Sequence, residues 1–193
     1  MNNIKYIKRG EKYFPRNLEK LKDCPDIIYV LGNEKILNEF SLAVVGARKC
    51  SNFGREFANK ISKELTAHGI NIISGLASGI DTASHEGSIE ANGKTIAVLG
   101  GGVNMIYPKE NTKLYEKILE NDGVIISEQM PNTPTMNYYL HNRNRIIAAL
   151  ASGIIIIEAR EKSGSLITAN YAKKLSKKIF VVPGSLEDDN YIR

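Results

Sequence analysis

The sequence predicts an α/β fold, a doubly wound, mostly parallel six-stranded Rossmann-like sheet with helices on both faces. From residue 41 onward, apolar segments of strand length alternate with amphipathic segments that are long enough for crossover helices. The apolar segments are continuous rather than alternating, which is typical of parallel strands that are buried on both faces. Right-handed crossovers between such strands give the doubly wound arrangement.

The six predicted strands are short apolar runs that are rich in β-branched residues. SLAVVG ends in a glycine, and SGIIIIEA contains four consecutive isoleucines. In chain order, the strands are expected at 41–46, 70–75, 94–102, 123–128, 152–159 and 178–184.

Helices are predicted between these strands. In the first, Phe53, Phe57, Ile61 and Leu65 are spaced by four, which indicates a helix with one buried stripe, and Gly69 is typical of the residue that ends a helix. The other helices are expected at 79–92, 111–121, 142–151 and 164–176.

The first 40 residues have a different pattern, with Pro15, Pro25 and one small apolar strand, IIYVLGN. We expect three parts in the chain. Residues 1–40 form an extension packed on the core, residues 41–185 form the Rossmann-like domain that carries the function, and residues 186–193 form a polar tail.

Composition excludes several classes of protein. The chain has 193 residues, of which 42% are hydrophobic, so it can bury a core and is not disordered. It contains no apolar run of the roughly 18 residues that cross a bilayer, and MNNIKYIKRGEKYF lacks the apolar segment of a secretory signal. Two cysteines make no disulfide framework. We therefore expect a cytoplasmic protein with no membrane contact.

The loops after the strands contain the residues best suited to bind a ligand. In an open parallel sheet, ligands bind beyond the carboxyl ends of the strands. Four loops at that edge are rich in glycine and serine and lead into helices: 46–54, 74–81, 100–108 and 158–169. One such loop can be simple turn chemistry, but several that converge on one edge favour a phosphate site. The net charge of +5 agrees only mildly with a polyanionic partner.

Neither GxGxxG nor GxxxxGK[ST] is present, so the two standard nucleotide fingerprints are absent. After the first strand, Gly46 is followed by Ala47 and Arg48. The guanidinium of Arg48 can take a phosphate with two hydrogen bonds, although an ion pair with a nearby acid is the simpler alternative.

A second cationic cluster is HNRNRII, in which Arg143 and Arg145 are expected to open a helix. Cations at that end of a helix are unfavourable unless an anion is bound there. Tyr138 and Tyr139 come just before and can stack on bases. The alternative is that the tyrosines pack the loop and one arginine pairs with an acid.

SGSLITA offers Ser163 or Ser165 as a helix N-cap whose hydroxyl can meet a phosphate, unless it acts as a cap alone. His85 is more typical of an internal hydrogen bond than of a catalytic base, because no nucleophile elbow accompanies it. No spacing of His, Cys, Asp and Glu predicts a metal site. The sequence thus offers binding groups, and we predict no catalysis, no metal and no cofactor.

Several motifs occur in an order that resembles a known family, the DNA-processing protein A (Smf-like) family. They are VGARKCSNFG, ISGLASGIDTASHEGSI, GKTIAVLGGGVNMIYPKEN, IISEQMP, RNRIIAAL, EAREKSGSLITANYA and FVVPG. Before them, Tyr13-Phe14-Pro15 and the segment from Tyr29 to Asn33 are also similar to the family. The resemblance covers about residues 13 to 185.

The resemblance implies a non-enzymatic protein that binds single-stranded DNA, protects incoming strands in natural transformation and loads the RecA recombinase onto them. It also implies a homodimer. Together with the anion-binding loops, it predicts the following DNA-binding residues: Gly46, Arg48, Ser51, Ser74, Gly75, Ser78, Gly79, Arg143, Asn144, Arg145, Ser163, Gly164 and Ser165.

This chain departs from the family pattern before Arg143, where Leu140-His141 replaces the usual Phe-Pro and removes an aromatic platform. An alternative function is a nucleotide-binding sensor or a nucleotide-phosphate hydrolase of a related Rossmann-like fold. Glu158 is the carboxylate best placed for that chemistry, but the Pro-Gly-Gly-x-Gly-Thr run of such hydrolases is absent. A third alternative is an interaction module whose basic edge meets an acidic protein.

Overall fold

A computed structural model describes residues 3–159 and 163–182 of the chain. Its strands are β1 (Lys5–Lys8), β2 (Ile27–Gly32), β3 (Ser41–Gly46), β4 (Asn71–Ser74), β5 (Thr95–Val98), β6 (Val124–Ser127), β7 (Gly153–Ile157) and β8 (Lys178–Val181). Its α-helices are α1 (Asn52–Ala67), α2 (Ile80–Glu90), α3 (Thr112–Glu120), α4 (Asn137–Leu150) and α5 (Gly164–Lys174). The predicted polar tail, residues 186–193, lies outside the described residues.

The strands form one mixed sheet in the order β1-β2-β6-β5-β4-β3-β7-β8. The six strands from β3 to β8 run parallel, as predicted, and β1 and β2 join the β6 edge in antiparallel fashion. The described sheet therefore has eight strands instead of six, because the N-terminal extension pairs with the sheet as well as packing on it. The strand order reverses between β3 and β7, and such a switch point is where open α/β sheets bind ligands.

Both faces of the sheet are covered, which explains why the strands are continuous apolar runs. On β7, Ile154 and Ile156 face the core shared with α4, α5 and the extension. Ile155 and Ile157 face the opposite core, which contains residues of α1 and α2. The α/β architecture with helices on both faces is thus the predicted one.

The N-terminal extension is held by apolar and polar contacts. Phe14, Leu18, Ile28 and Val30 are buried in the same core as α4. The Asn17 side chain donates to the backbone carbonyl of Leu150, at the end of that helix (3.2 Å). The extension therefore completes one face of the sheet.

Helix α4 begins at Asn137, five residues earlier than predicted. Its N-cap is Met136, which makes no side-chain capping bond among the described residues, so the sequence carries no start signal there. Arg143 and Arg145 consequently lie in the interior of the helix instead of at its N-terminus, and Tyr138 and Tyr139 lie in its first turn. Among the described residues, no helix is long and apolar enough to span a bilayer.

Candidate nucleic-acid interface

A pocket of about 520 Å³ opens at the switch point, beyond the carboxyl ends of β3 and β7. Its wall is formed by the loop after β3, the start of α5 and one side of α4. Seven of the predicted DNA-binding residues line it: Gly46, Arg48, Arg143, Asn144, Ser163, Gly164 and Ser165. Three of the four loops singled out in the sequence, 46–54, 74–81 and 158–169, therefore contribute residues to one concave surface, whereas the loop 100–108 does not line it.

The N-terminus of α5 forms one side of the pocket. Ser163 is the N-cap, and its Oγ lies 2.8 Å from Oγ of Ser165, one hydroxyl donating to the other. The Asn144 side chain donates to the carbonyl of Gly164 (3.2 Å) and so fixes this turn against α4. First-turn N–H groups and the helix dipole make such a terminus attractive to an anion.

Two exposed cations and an exposed histidine line the pocket. Arg48 and Lys49 are exposed and line it from the loop after β3, and the exposed His141 lines it from α4. Asn137 lines the pocket one helical turn before His141. Between them, Tyr138 is 67% exposed, and its ring centroid lies 5.8 Å from that of Tyr139. The first turn of α4 thus offers an exposed aromatic face next in the chain to a residue that lines the pocket.

The N-terminus of α1 is occupied by a carboxylate of the protein itself. The N–H of Ser51 donates to Oε2 of Glu158 (2.8 Å), and its hydroxyl donates to Oε1 of the same carboxylate. The Ser51 Oγ also accepts from the N–H of Gly54 (3.0 Å) as the helix cap. A Cβ at residue 54 would collide with the carboxylate. Ser51, predicted to contact DNA, faces this internal anion and does not line the pocket.

The loop between β4 and α2 is also organised internally. Asp81 accepts hydrogen bonds from the N–H groups of Gly75 (3.1 Å) and Ala77 (3.3 Å). Gly79 has φ +80°, and a Cβ there would collide with the backbone of Arg48, so a glycine lets this loop approach the pocket mouth. The Ser74 hydroxyl donates to the carbonyl of Val44 (2.7 Å).

Arg143 is buried and binds carbonyls of the protein. Its Nη1 donates to the carbonyls of Gly75 (2.6 Å) and Val98, at the ends of β4 and β5, and its Nε donates to the side chain of Asn144 (3.1 Å). Burial lowers the pKa of Arg143, and the charge of Asp81 opposes that shift. Burial raises the pKa of Asp81, which Arg143 in turn counteracts. Each of the two groups therefore stabilises the charged form of the other inside the protein.

Arg145 forms ion pairs that lead away from the pocket. Its Nε lies 2.7 Å from the Asp23 carboxylate in the N-terminal extension, and its Nη2 lies 2.6 Å from Glu128 after β6. Pairing of one arginine with an acid was the alternative to DNA contact in the sequence analysis. The pair with Asp23 also connects the N-terminal extension to α4.

The predicted residues therefore divide into two groups. Six do not line the pocket: Ser51, Ser74, Gly75, Ser78, Gly79 and Arg145. Five polar residues that line it were not among the predicted ones: Lys49, Asp81, Asn137, His141 and Thr168. Lys49 follows Arg48 directly, and the four-residue spacing of Asn137 and His141 indicates one helix face, so these three had a signal in the sequence.

His85 is buried in α2 and belongs to a hydrogen-bond chain. Its Nδ1 lies 2.7 Å from the hydroxyl of Thr95, which itself donates to the carbonyl of Ile72 (2.8 Å), so Nδ1 is the donor. Burial, with a smaller contribution from Arg143, lowers the pKa of His85 to about 3. The described residues contain no group of three or more His, Cys, Asp or Glu side chains that could hold a metal ion.

Comparison with known proteins identifies relatives for nearly the whole chain. The family model for DNA recombination-mediator protein A matches residues 5–191. DNA processing protein DprA of Bacillus subtilis is 39% identical over 186 residues, which are 96% of this chain and 62% of that protein. Protein Smf of Escherichia coli is 36% identical over 184 residues, which are 95% of this chain and 49% of that protein. The chain thus spans about half to three fifths of the length of these curated relatives.

Two solved structures have the same architecture. DNA processing protein A from Streptococcus pneumoniae superimposes with a TM-score of 0.91 at 37% identity, over 97% of this chain and 65% of that one. DNA processing protein A from Helicobacter pylori, studied for its unique single-stranded DNA binding mode, superimposes with a TM-score of 0.88 at 29% identity. That alignment covers 97% of this chain and 86% of that one.

The buried His85 should make the free energy of unfolding depend on pH. Below pH 6.5, the unfolded chain protonates His85, whereas the folded protein holds it neutral down to about pH 3. The unfolded state therefore binds more protons, and stability falls as the pH drops through this window. His85→Gln keeps a donor for Thr95 and removes the titration. Denaturant unfolding should show a loss of unfolding free energy between pH 6.5 and 5 that is smaller in the variant by about 1.6 kcal/mol. Equal losses would contradict the assignment.

Proposed function

Because the chain belongs to the DNA recombination-mediator protein A family, we propose that it binds single-stranded DNA through the pocket at the switch point. The observation that carries this proposal is that the N-terminus of α5 lines the same pocket as Arg48 and Lys49. Helix amides and two cations in one pocket suit a backbone phosphate. The exposed ring of Tyr138, which follows the pocket-lining Asn137 in the chain, suits a neighbouring base.

Protection of incoming strands and loading of the RecA recombinase are proposed as the biological role. The description of the family as recombination mediators supports this role. The binding groups also fit it, because they address phosphates and ring faces, which every sequence of single strand presents. A protein that coats arbitrary incoming DNA needs such tolerance.

A homodimer is proposed as the working assembly. In its support, β8 is an edge strand of the sheet formed by the described residues, with Ile179, Phe180 and Val181 exposed by 36%, 51% and 57%. Edge strands with apolar side chains are surfaces that proteins usually cover.

The protein is proposed to act by binding alone. The alternative of a nucleotide-phosphate hydrolase relied on Glu158 as the reacting carboxylate. Glu158 is 2% exposed and binds Ser51 at the N-terminus of α1, so it is engaged in holding that helix. This arrangement favours a binding protein over a hydrolase.

Arg48→Ala tests the phosphate site. We expect the variant to bind a mixed-sequence single strand about tenfold more weakly at moderate salt, because one charge-assisted phosphate contact is lost. The slope of log affinity against log salt should fall by about 0.7. Fluorescence anisotropy with a labelled oligonucleotide at several salt concentrations measures both, with the matching duplex as a weaker ligand.

Arg16→Ala is the matched control, because Arg16 is also exposed but lies in the N-terminal extension and does not line the pocket. Its affinity and salt slope should equal those of the wild type. If Arg48→Ala behaves like this control, the phosphate does not bind at the proposed place.

Ser163→Asp separates binding from folding. Aspartate is as good an N-cap as serine, so the free energy of unfolding should stay equal or rise slightly. Its carboxylate would compete with a phosphate at the α5 N-terminus, and affinity for the single strand should fall at least tenfold. Ser163→Asn, which caps without a charge, should bind nearly as the wild type does. Thermal denaturation and anisotropy on the same samples measure both effects, and tight binding by the aspartate variant would reject the α5 site.

A further inference from the structure

The N-terminus of α1 is the place where a sheet of this kind usually binds a nucleotide. In doubly wound folds, the diphosphate of a dinucleotide lies at the helix that follows the strand at the switch point. In this chain that strand is β3 and that helix is α1, because the strand order reverses between β3 and β7. The place is occupied by an anion of the protein itself, the carboxylate of Glu158.

The contacts of this carboxylate are those that a phosphate receives at a helix N-terminus. Glu158 accepts from the N–H and from the hydroxyl of Ser51, which precedes α1. A Cβ at Gly54 would collide with the carboxylate. In dinucleotide-binding folds, a glycine in the corresponding turn lets the backbone approach the diphosphate. Here Gly54 lets the first turn of α1 approach the side chain of Glu158 in the same way.

The conformation of Glu158 indicates a role in addition to capping the helix. Its φ is +51°, in the left-handed region that costs free energy for a residue with a side chain, and the residue is 2% exposed. Burial of a carboxylate also costs free energy unless hydrogen bonds replace its hydration. Capping alone does not require these costs, because Ser51 Oγ already accepts from the N–H of Gly54 (3.0 Å).

The carboxylate lies beside the loop that brings cations to the pocket. Arg48 and Lys49 line the pocket and precede Ser51 by three and two residues. Without Glu158, two cations and the amides of α1 would meet in one short loop, which is a suitable set of groups for two adjacent phosphates. With Glu158 in place, a ligand that needs the α1 terminus meets a filled position and a like charge, and a protein can reject a wrong ligand in this way.

We propose that Glu158 is a specificity-determining residue, whose carboxylate fills the diphosphate position at α1 and thereby excludes free nucleoside diphosphates. This inference rests on the proposed binding of single-stranded DNA, since it concerns which other phosphate compounds compete with the strand at the same loop. It gives Glu158 a task in binding, and it explains why Gly54 follows a loop that lacks the usual nucleotide fingerprint.

Vacating the position should create affinity for a nucleoside diphosphate, for which ADP is the probe. Glu158→Gly empties the place and adopts the positive φ without strain, and Glu158→Asn is a second, shorter and neutral replacement that tolerates this φ. We expect both variants to bind ADP at least tenfold more tightly than the wild type, because charge-assisted contacts at α1 become available. Isothermal titration calorimetry measures the affinity.

Thermal unfolding gives the same information for a variant of reduced stability. A ligand that binds the folded state raises Tm, by about 5–10 °C for a domain of this size at a concentration of 100 times Kd. The Tm of Glu158→Gly and Glu158→Asn should therefore rise with ADP, whereas that of the wild type should stay nearly constant over the same concentrations.

Two further variants control for charge and for the place of binding. Glu158→Gln has the size of the native residue, and its amide oxygen can still accept from the N–H of Ser51, so the position stays filled and ADP affinity should remain close to that of the wild type. Ser163→Asp places a carboxylate at the α5 terminus. Added to Glu158→Gly, it should leave the gained ADP affinity unchanged, because that affinity arises at α1.

Several outcomes would overturn the role of Glu158. ADP affinity and Tm that do not increase in the vacating variants would do so, as would tight ADP binding by the wild type that persists in Ser163→Asp. Equal gains in Glu158→Gln and Glu158→Gly would show that the charge acts without filling the position. Loss of the gain on adding Ser163→Asp would place ADP at α5. Single-strand binding is measured separately by anisotropy on the wild type, so its failure rejects the proposed function and is distinguishable from every ADP result.

Discussion

The buried guanidinium of Arg143 holds together the parts that form the pocket. It joins α4 to the carbonyl ends of β4 and β5 and lies close enough to Asp81 for their charges to interact. Removing one partner from a buried charged network typically costs about 3–5 kcal/mol, because the remaining charge loses its compensation. The loop after β4 and the inner side of α4 thus have fixed positions before any ligand arrives. Arg143, which was predicted to contact DNA and which lines the pocket, thus also supports the site from within.

Carboxylates of the protein itself occupy two of the helix N-termini at this edge of the sheet, which affects where an anionic ligand can bind. The N-terminus of α1 holds Glu158, and the backbone N–H groups just before α2 hold Asp81. Each carboxylate provides the negative charge that a bound phosphate would otherwise provide at that helix N-terminus. The start of α5 carries hydroxyls and the exposed Gly164 at the pocket, so this terminus is open to a ligand there.

Much of the fold can be predicted from the sequence, because a parallel sheet covered on both faces needs continuous apolar strands. The strand β1 could not be predicted in this way, because Ile7 is its single buried residue and the other three residues are exposed. The start of α4 escapes it because Met136 gives no capping signal. For the site, glycine- and serine-rich loops predict the mouth of the pocket. The partners of Ser51 and Arg145 cannot be predicted locally, because Glu158 is 107 residues away from Ser51 and Asp23 lies in another layer of the protein.

The few cations and helix-terminal groups at the pocket also limit how firmly a single copy would hold a strand in the proposed binding mode. Each chain would neutralise few phosphates, so its electrostatic contribution to binding would be modest. Several copies along one strand, or two joined in the proposed dimer, would overcome this limit because every engaged site raises the local concentration of strand at the next one. Affinity should then depend on the length of the strand, and short fragments would leave the protein free for long ones.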